Sequence, residues 1–132
     1  MTPVRVVVVD DDPLFAEGLA STLAVDPRIV VAGIAHDGIE ALQLCRRQRP
    51  DVVLMDLHMP SLDGLETTRR IRSSFPAIRV VMLTSDKGEI AMANAVDAGA
   101  VSFLVKGASL EEMRDVVVCV SFLVSALPMR AA

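Results

Sequence analysis

Five short runs of mostly aliphatic residues, separated by segments with helical spacing, limit the fold of this chain more than any other feature. The runs are Val4–Val9, Ile29–Ala35, Asp51–Met55, Ile78–Leu83 and Val101–Val105. Each has strand length, and three are apolar almost throughout, the pattern of strands buried on both faces. Between the first two, Phe15, Leu19, Thr22 and Leu23 stack on one helical face, behind Asp12 as a candidate N-cap and Pro13 at the first helical position. Ile39, Leu42 and Cys45 predict the inward face of a second helix, and Leu62, Leu65, Thr68, Ile71 and Phe75 that of a third. The segment Gly88–Ala98 is rich in Ala, with only Ile90, Met92 and Val96 for bulk, and predicts a helix that docks lightly. The last helix opens with Ser109 and Glu112 at capping-box spacing and continues inward through Leu110, Met113, Val117 and Val120. Five alternations of strand and helix imply a doubly wound α/β fold, a five-stranded parallel sheet with right-handed crossovers and helices on both faces.

A chain of 132 residues is long enough for one such domain to bury its own core. The net charge of −4 argues against unaided nucleic-acid binding, since nothing resembles a basic footprint. The apolar start runs at once into Asp10, Asp11 and Asp12, too soon for a signal peptide, and the uncharged stretch Val116–Met129 falls short of the roughly 18 residues that cross a bilayer. These features predict a soluble, cytoplasmic protein without a membrane partner. Cys45 and Cys119 lie in apolar helical stretches with no ligand-spaced partner, which predicts core packing for both in a reducing compartment.

In open parallel α/β sheets, ligands bind beyond the carboxyl ends of the strands. The first strand ends in Asp10 and Asp11, the third in Asp56, the fourth in Thr84 and Ser85, and the fifth in Lys106. If the first and third strands are neighbours, their carboxylates lie within about 5 Å, and each like-charged pair costs on the order of 3 kcal/mol at an effective dielectric of 20. A proton or a cation must relieve that. Hard oxygen donors, few in number, suit Mg²⁺ sharing its shell with a phosphate, and Lys106 adds a second positive charge. The set predicts a site for a phosphoryl group.

Four stretches carry a family resemblance: Val8–Phe15 (Val-Val-Asp-Asp-Asp-Pro-Leu-Phe), Asp51–Pro60 (Asp-Val-Val-Leu-Met-Asp-Leu-His-Met-Pro) with Asp63-Gly64 following, Val81–Ser85 (Val-Met-Leu-Thr-Ser), and Ala98–Lys106 (Ala-Gly-Ala-Val-Ser-Phe-Leu-Val-Lys). In this order they resemble response-regulator receiver domains of two-component systems, from Val4 to about Leu127, and Asp12–Leu19 looks most like the NarL/FixJ subfamily. The resemblance implies a flavodoxin-like strand order 2-1-3-4-5, for which the chemotaxis receiver is the familiar example. It implies that Asp56 accepts the phosphoryl group of a sensor histidine kinase. Mg²⁺ would be held by Asp11 directly, by Asp10 mostly through water, by Asp56 and by the backbone carbonyl of His58. Lys106 would pair with the acceptor carboxylate and then the phosphoryl oxygens, and Thr84 and Phe103 would act as the switch. His58 and Asp86 would tune loss of the phosphoryl group. The output face would join the fourth helix, fifth strand and fifth helix and control dimerisation and a transcriptional output domain.

Residues 1–127 are accordingly read as the receiver domain, and 128–132 as a short tail with no output domain and no DNA-reading element in this chain. The chain is not expected to be a turnover enzyme. One departure is Gly107, where most receivers have a Pro whose cis bond helps aim the lysine. Asp12 adds a fourth acid that is expected to cap the first helix. The segment Val116–Val124 is apolar on nearly every face and predicts a homodimer through the last helix. Two other functions fit parts of the pattern. Asp10 and Asp12 mimic the Asp-x-Asp of haloacid dehalogenase-type phosphohydrolases, which would place the phosphate on Asp10, although Leu14 stands where those enzymes carry Thr or Val. A receiver fold used only for dimerisation, without phosphorylation, is the other.

Overall fold

A computed structural model describes residues 2–85 and 89–126, with side chains left aside at 89–91 and 123–126. Strands β1 (Val4–Val9), β2 (Ile29–Ala35), β3 (Val52–Asp56), β4 (Arg79–Thr84) and β5 (Ser102–Val105) alternate with helices α1 (Pro13–Leu23), α2 (Gly38–Gln48), α3 (Gly64–Ser74), α4 (Glu89–Ala98) and α5 (Leu110–Ala126). All neighbouring strands pair in parallel, in the order β2-β1-β3-β4-β5. This is the expected flavodoxin-like arrangement.

The strand alternation divides the core between two faces. Val6, Val8, Leu54, Val81 and Leu83 pack on one side with Leu19 and Leu23 of α1 and Met113 and Val117 of α5. Val7, Val9, Val53, Met55, Val80 and Met82 pack on the other with Ala41 and Cys45 of α2, Ile71 of α3 and Ala95 of α4. The central strands β1, β3 and β4 therefore need apolar residues at almost every position. The edge strands β2 and β5 are mostly half-buried.

Helix starts follow their capping residues. Asp12 caps α1, accepting from Leu14 N at 3.1 Å and Phe15 N at 3.4 Å, with Pro13 next in the chain. Asp37 and Asp63 cap α2 and α3 through Glu40 N and Glu66 N, both at 2.8 Å. Ser109 Oγ accepts from Glu112 N at 3.1 Å ahead of α5.

Three sequence expectations are corrected. The inward face of α2 is Gly38, Ala41, Leu44 and Cys45, with Ile39 exposed. Gly38 lies so close to α3 that a Cβ there would stand 2.3 Å from Thr67 Oγ1, so small residues hold the contact and the bulky one turns outward. Small residues also face inward in α4, where Ala95 and Ala98 are buried and Met92 and Val96 exposed. Leu110 at the start of α5 is exposed instead of inward. Cys119 is also exposed, whereas Cys45 packs in the core as expected. The boundary at residue 127, the tail 128–132 and Asp86 lie outside the described residues.

Candidate functional site

The register of β1 against β3 brings the strand ends together, with Val9 opposite Met55. Asp10 follows β1 and is fully buried, Asp56 closes β3 with 3% of its surface exposed, and Asp11 is exposed beside them. One oxygen from each of these three carboxylates lies within 4.8 Å of the others. Lys106 enters from the end of β5, its Nζ 2.7 Å from Asp10 Oδ2 and 3.3 Å from Asp56 Oδ1.

Backbone contacts hold this rim in place. Asp10 Oδ1 accepts from Asp12 N at 2.9 Å, and Asp56 Oδ1 accepts from His58 N at 3.3 Å. Leu57 N donates to Leu83 O and Lys106 N to Thr84 O, both at 2.8 Å, tying β3, β4 and β5 together just beyond their strand ends. Thr84 is fully buried and Phe103 half-buried on the neighbouring strands. The His58 side chain is exposed. Gly64 N donates to Leu57 O, and a Cβ on Gly64 would stand 2.1 Å from the carbonyl oxygen of Asp56, so only glycine fits where α3 begins.

Burial and then the charge of Asp10 push the Asp56 carboxyl up to about 6, against the pull of Lys106. Burial lowers the affinity of Lys106 for its proton, but Asp10 and Asp56 more than offset that and raise it. Among the described residues, one ammonium, that of Lys106, meets two of the three carboxylates, Asp10 and Asp56. Such a cluster of oxygen donors, one of them open to water, fits a small divalent cation that keeps part of its hydration shell.

Asp10, Asp11, Asp56 and Lys106, four of the residues drawn from the strand ends, thus meet at one rim. Asp12 stands apart, its carboxylate turned to the first backbone N–H groups of α1. That leaves the Asp-x-Asp alternative without its second acid. Three contributors were not singled out from the sequence. His36, just after β2, donates from Nδ1 to the Asp10 carbonyl at 3.2 Å. Phe15 places its ring centroid 4.7 Å from Lys106 Nζ. Gly64 permits the close approach of α3. His36 could have been found from the strand order, which sets the end of β2 beside β1.

A family model described as the response regulator receiver domain matches residues 6–118. The chain belongs to the response regulator receiver domain family. Among curated relatives, the transcriptional regulatory protein LnrK of Bacillus subtilis is 36% identical over 117 residues, covering 89% of this chain and 53% of that protein. The response regulator GacA of Pseudomonas aeruginosa is 42% identical over 110 residues, covering 83% and 51%. The receiver therefore spans about half the length of these relatives. The solved signal receiver domain of a NarL response regulator from Mycobacterium tuberculosis superposes with a TM-score of 0.88 at 34% identity, covering 92% of this chain and 98% of that one. As a receiver domain the molecule is a signalling module, and no helix among its described residues is long and apolar enough to cross a membrane.

Proposed function

We propose that this receiver accepts a phosphoryl group on Asp56 from the phosphohistidine of a sensor histidine kinase. The observation that carries the reading is the single Lys106 ammonium reaching both Asp10 and Asp56 within a group of three carboxylates. An Asp56 carboxylate oxygen forms the new bond to phosphorus as the phosphorus–nitrogen bond breaks, and the imidazole of the kinase leaves with the electron pair and takes up a proton. Phosphoryl transfer asks a protein mainly for positioning and charge stabilisation. Lys106 supplies a fixed positive charge beside the acceptor. Asp10, Asp11, Asp56 and the backbone carbonyl of His58 would hold Mg²⁺, which when bound offsets the carboxylate charge and stabilises that developing on the phosphoryl oxygens.

Thr84 and Phe103 are read as the switch. A phosphoaspartate adds charge and strong acceptors at the rim, Thr84 answers with its hydroxyl, and Phe103 follows inward. The surface that changes is the α4–β5–α5 face, where α4 docks through alanines and leaves Met92 and Val96 outside. A homodimer through α5 is supported by Phe122, 57% exposed on that helix. The output is proposed to be transcriptional, carried by a further domain of a longer cytoplasmic protein, with residues 1–127 as the receiver. The chain acts as a stoichiometric acceptor and not a turnover enzyme.

Incubation with Mg²⁺ and acetyl phosphate, followed by intact mass, tests the reading. Wild type is expected to gain one phosphoryl group and Asp56→Asn none. No uptake by wild type, or uptake that survives Asp56→Asn and disappears in Asp10→Asn, would overturn it.

A further inference from the structure

The Lys106 ammonium meets the carboxylates of Asp10 and Asp56 and the ring of Phe15. We propose that Phe15 is a positioning residue for Lys106, its ring face holding the ammonium where it meets both aspartates. The proposal rests on the reading of Asp56 as the phosphoacceptor.

The lysine needs such a guide. Its backbone is fixed by Lys106 N donating to Thr84 O at 2.8 Å, and the turn beyond it by Ala108 N donating to Val105 O at 2.9 Å. Its side chain is a flexible stem with many rotamers to lose. The following residue offers no restraint, because around Gly107 nothing lies within 4 Å of where a Cβ would stand.

The ring, by contrast, is well anchored. Phe15 is the third residue of α1, and its own N–H donates to the capping Asp12 carboxylate. It packs against the core on the α1–α5 side and lines the groove between these helices with Leu14, Leu19 and Met113. Asp12, the acid outside the metal-binding group, thereby acts on the site by fixing the turn that carries the ring.

An aromatic face suits this position chemically. It attracts an ammonium through its quadrupole, more strongly where water is partly excluded, and Lys106 is 24% exposed. It adds no charge to a rim already rich in carboxylates, and it does not accept the lysine's proton.

Phe15→Leu, which keeps an apolar side chain of similar size without the ring, is the decisive variant. With the full chain, Mg²⁺ and acetyl phosphate, its phosphorylation rate is expected to fall about threefold to tenfold, with Phe15→Tyr within about twofold of wild type. In a Lys106→Ala background, Phe15→Leu is expected to cause no further fall. The proton resonances of the Lys106 ε-methylene should be shifted upfield by the ring in wild type and Phe15→Tyr, and return toward ordinary lysine values in Phe15→Leu. A wild-type rate for Phe15→Leu, an equal fall in the Lys106→Ala background, or an unshifted wild-type methylene would each overturn the proposal. Should Phe15→Leu fail to fold, Phe15→Met takes its place. If wild type takes up no phosphoryl group, the acceptor reading fails and the ring-current shift alone decides the positioning.

Discussion

Asp26 and Asp56 are both largely buried aspartates that face a cation, yet their carboxyl groups are driven in opposite directions. Asp26 lies in the turn between α1 and β2, where Arg28 grips it with Nε at 3.0 Å and Nη2 at 2.8 Å and with its backbone N–H at 2.8 Å. The side-chain and then the backbone hydrogen bonds of Arg28 hold it down to about 2. Asp56 shares the Lys106 ammonium with Asp10, and burial and the Asp10 charge push it up to about 6. The first pair is closed and structural. The second sets two buried carboxylates against one shared ammonium, the kind of perturbed pairing that clusters at functional sites.

Breaking the cation in each group should expose the difference most strongly. Lys106→Met leaves the buried carboxylates of Asp10 and Asp56 without the ammonium between them, and is expected to lower unfolding stability without Mg²⁺ by about 3 kcal/mol in urea denaturation at pH 7. Added Mg²⁺ should recover part of that loss. The substitution on the acid side should act with opposite sign in the two groups. Asp56→Asn removes a charge that the fold tolerates poorly and is expected to stabilise the protein by about 1–2 kcal/mol at pH 7. Asp26→Asn removes a satisfied charge and should lower the thermal midpoint, by less than Lys106→Met does.

The pH dependence sharpens the same contrast. Asp56 titrates higher in the folded chain than the ordinary 3.8, so the folded state binds its proton more tightly, and stability from this group falls as pH rises from about 4 through about 6. The advantage of Asp56→Asn over wild type should therefore grow across that window and level off above about pH 7. Asp26 is depressed from 3.8 to about 2, so its contribution is present above about pH 4 and is lost as pH falls toward 2. Wild type minus Asp26→Asn should change only in that acid range. Equal slopes for the two variants would mean that the two aspartates do not differ in the way described.

The sheet and its acidic rim were legible because burial on two faces leaves central strands no choice of residue type. Val4–Val9 and Val52–Met55 announce themselves, and the polar residue after each then stands out. Helix faces were less legible. Ile39 looked like an inward anchor, but close helix packing at Gly38 selects small residues there instead. Periodicity ranks residues by hydrophobicity, whereas a close helix contact selects by size. Cys119 was misread for a related reason, since a helix apolar on most sides does not declare which side is covered. Phe15 was legible as an apolar residue of α1, while its contact with Lys106 depends on how the first turn of α1 meets the turn after β5, a relation between distant segments. The direction of His36 toward the Asp10 carbonyl is of the same kind.

Calorimetric titration of Mg²⁺ into wild type and Asp11→Asn tests most directly whether the rim is built for a cation. Asp11 is the exposed member of the three carboxylates, so its substitution disturbs the core least. Saturable binding at one site in wild type, weakened at least about tenfold in Asp11→Asn, is the expected result. Failure of wild type to bind Mg²⁺, or binding that Asp11→Asn leaves unchanged, would contradict it.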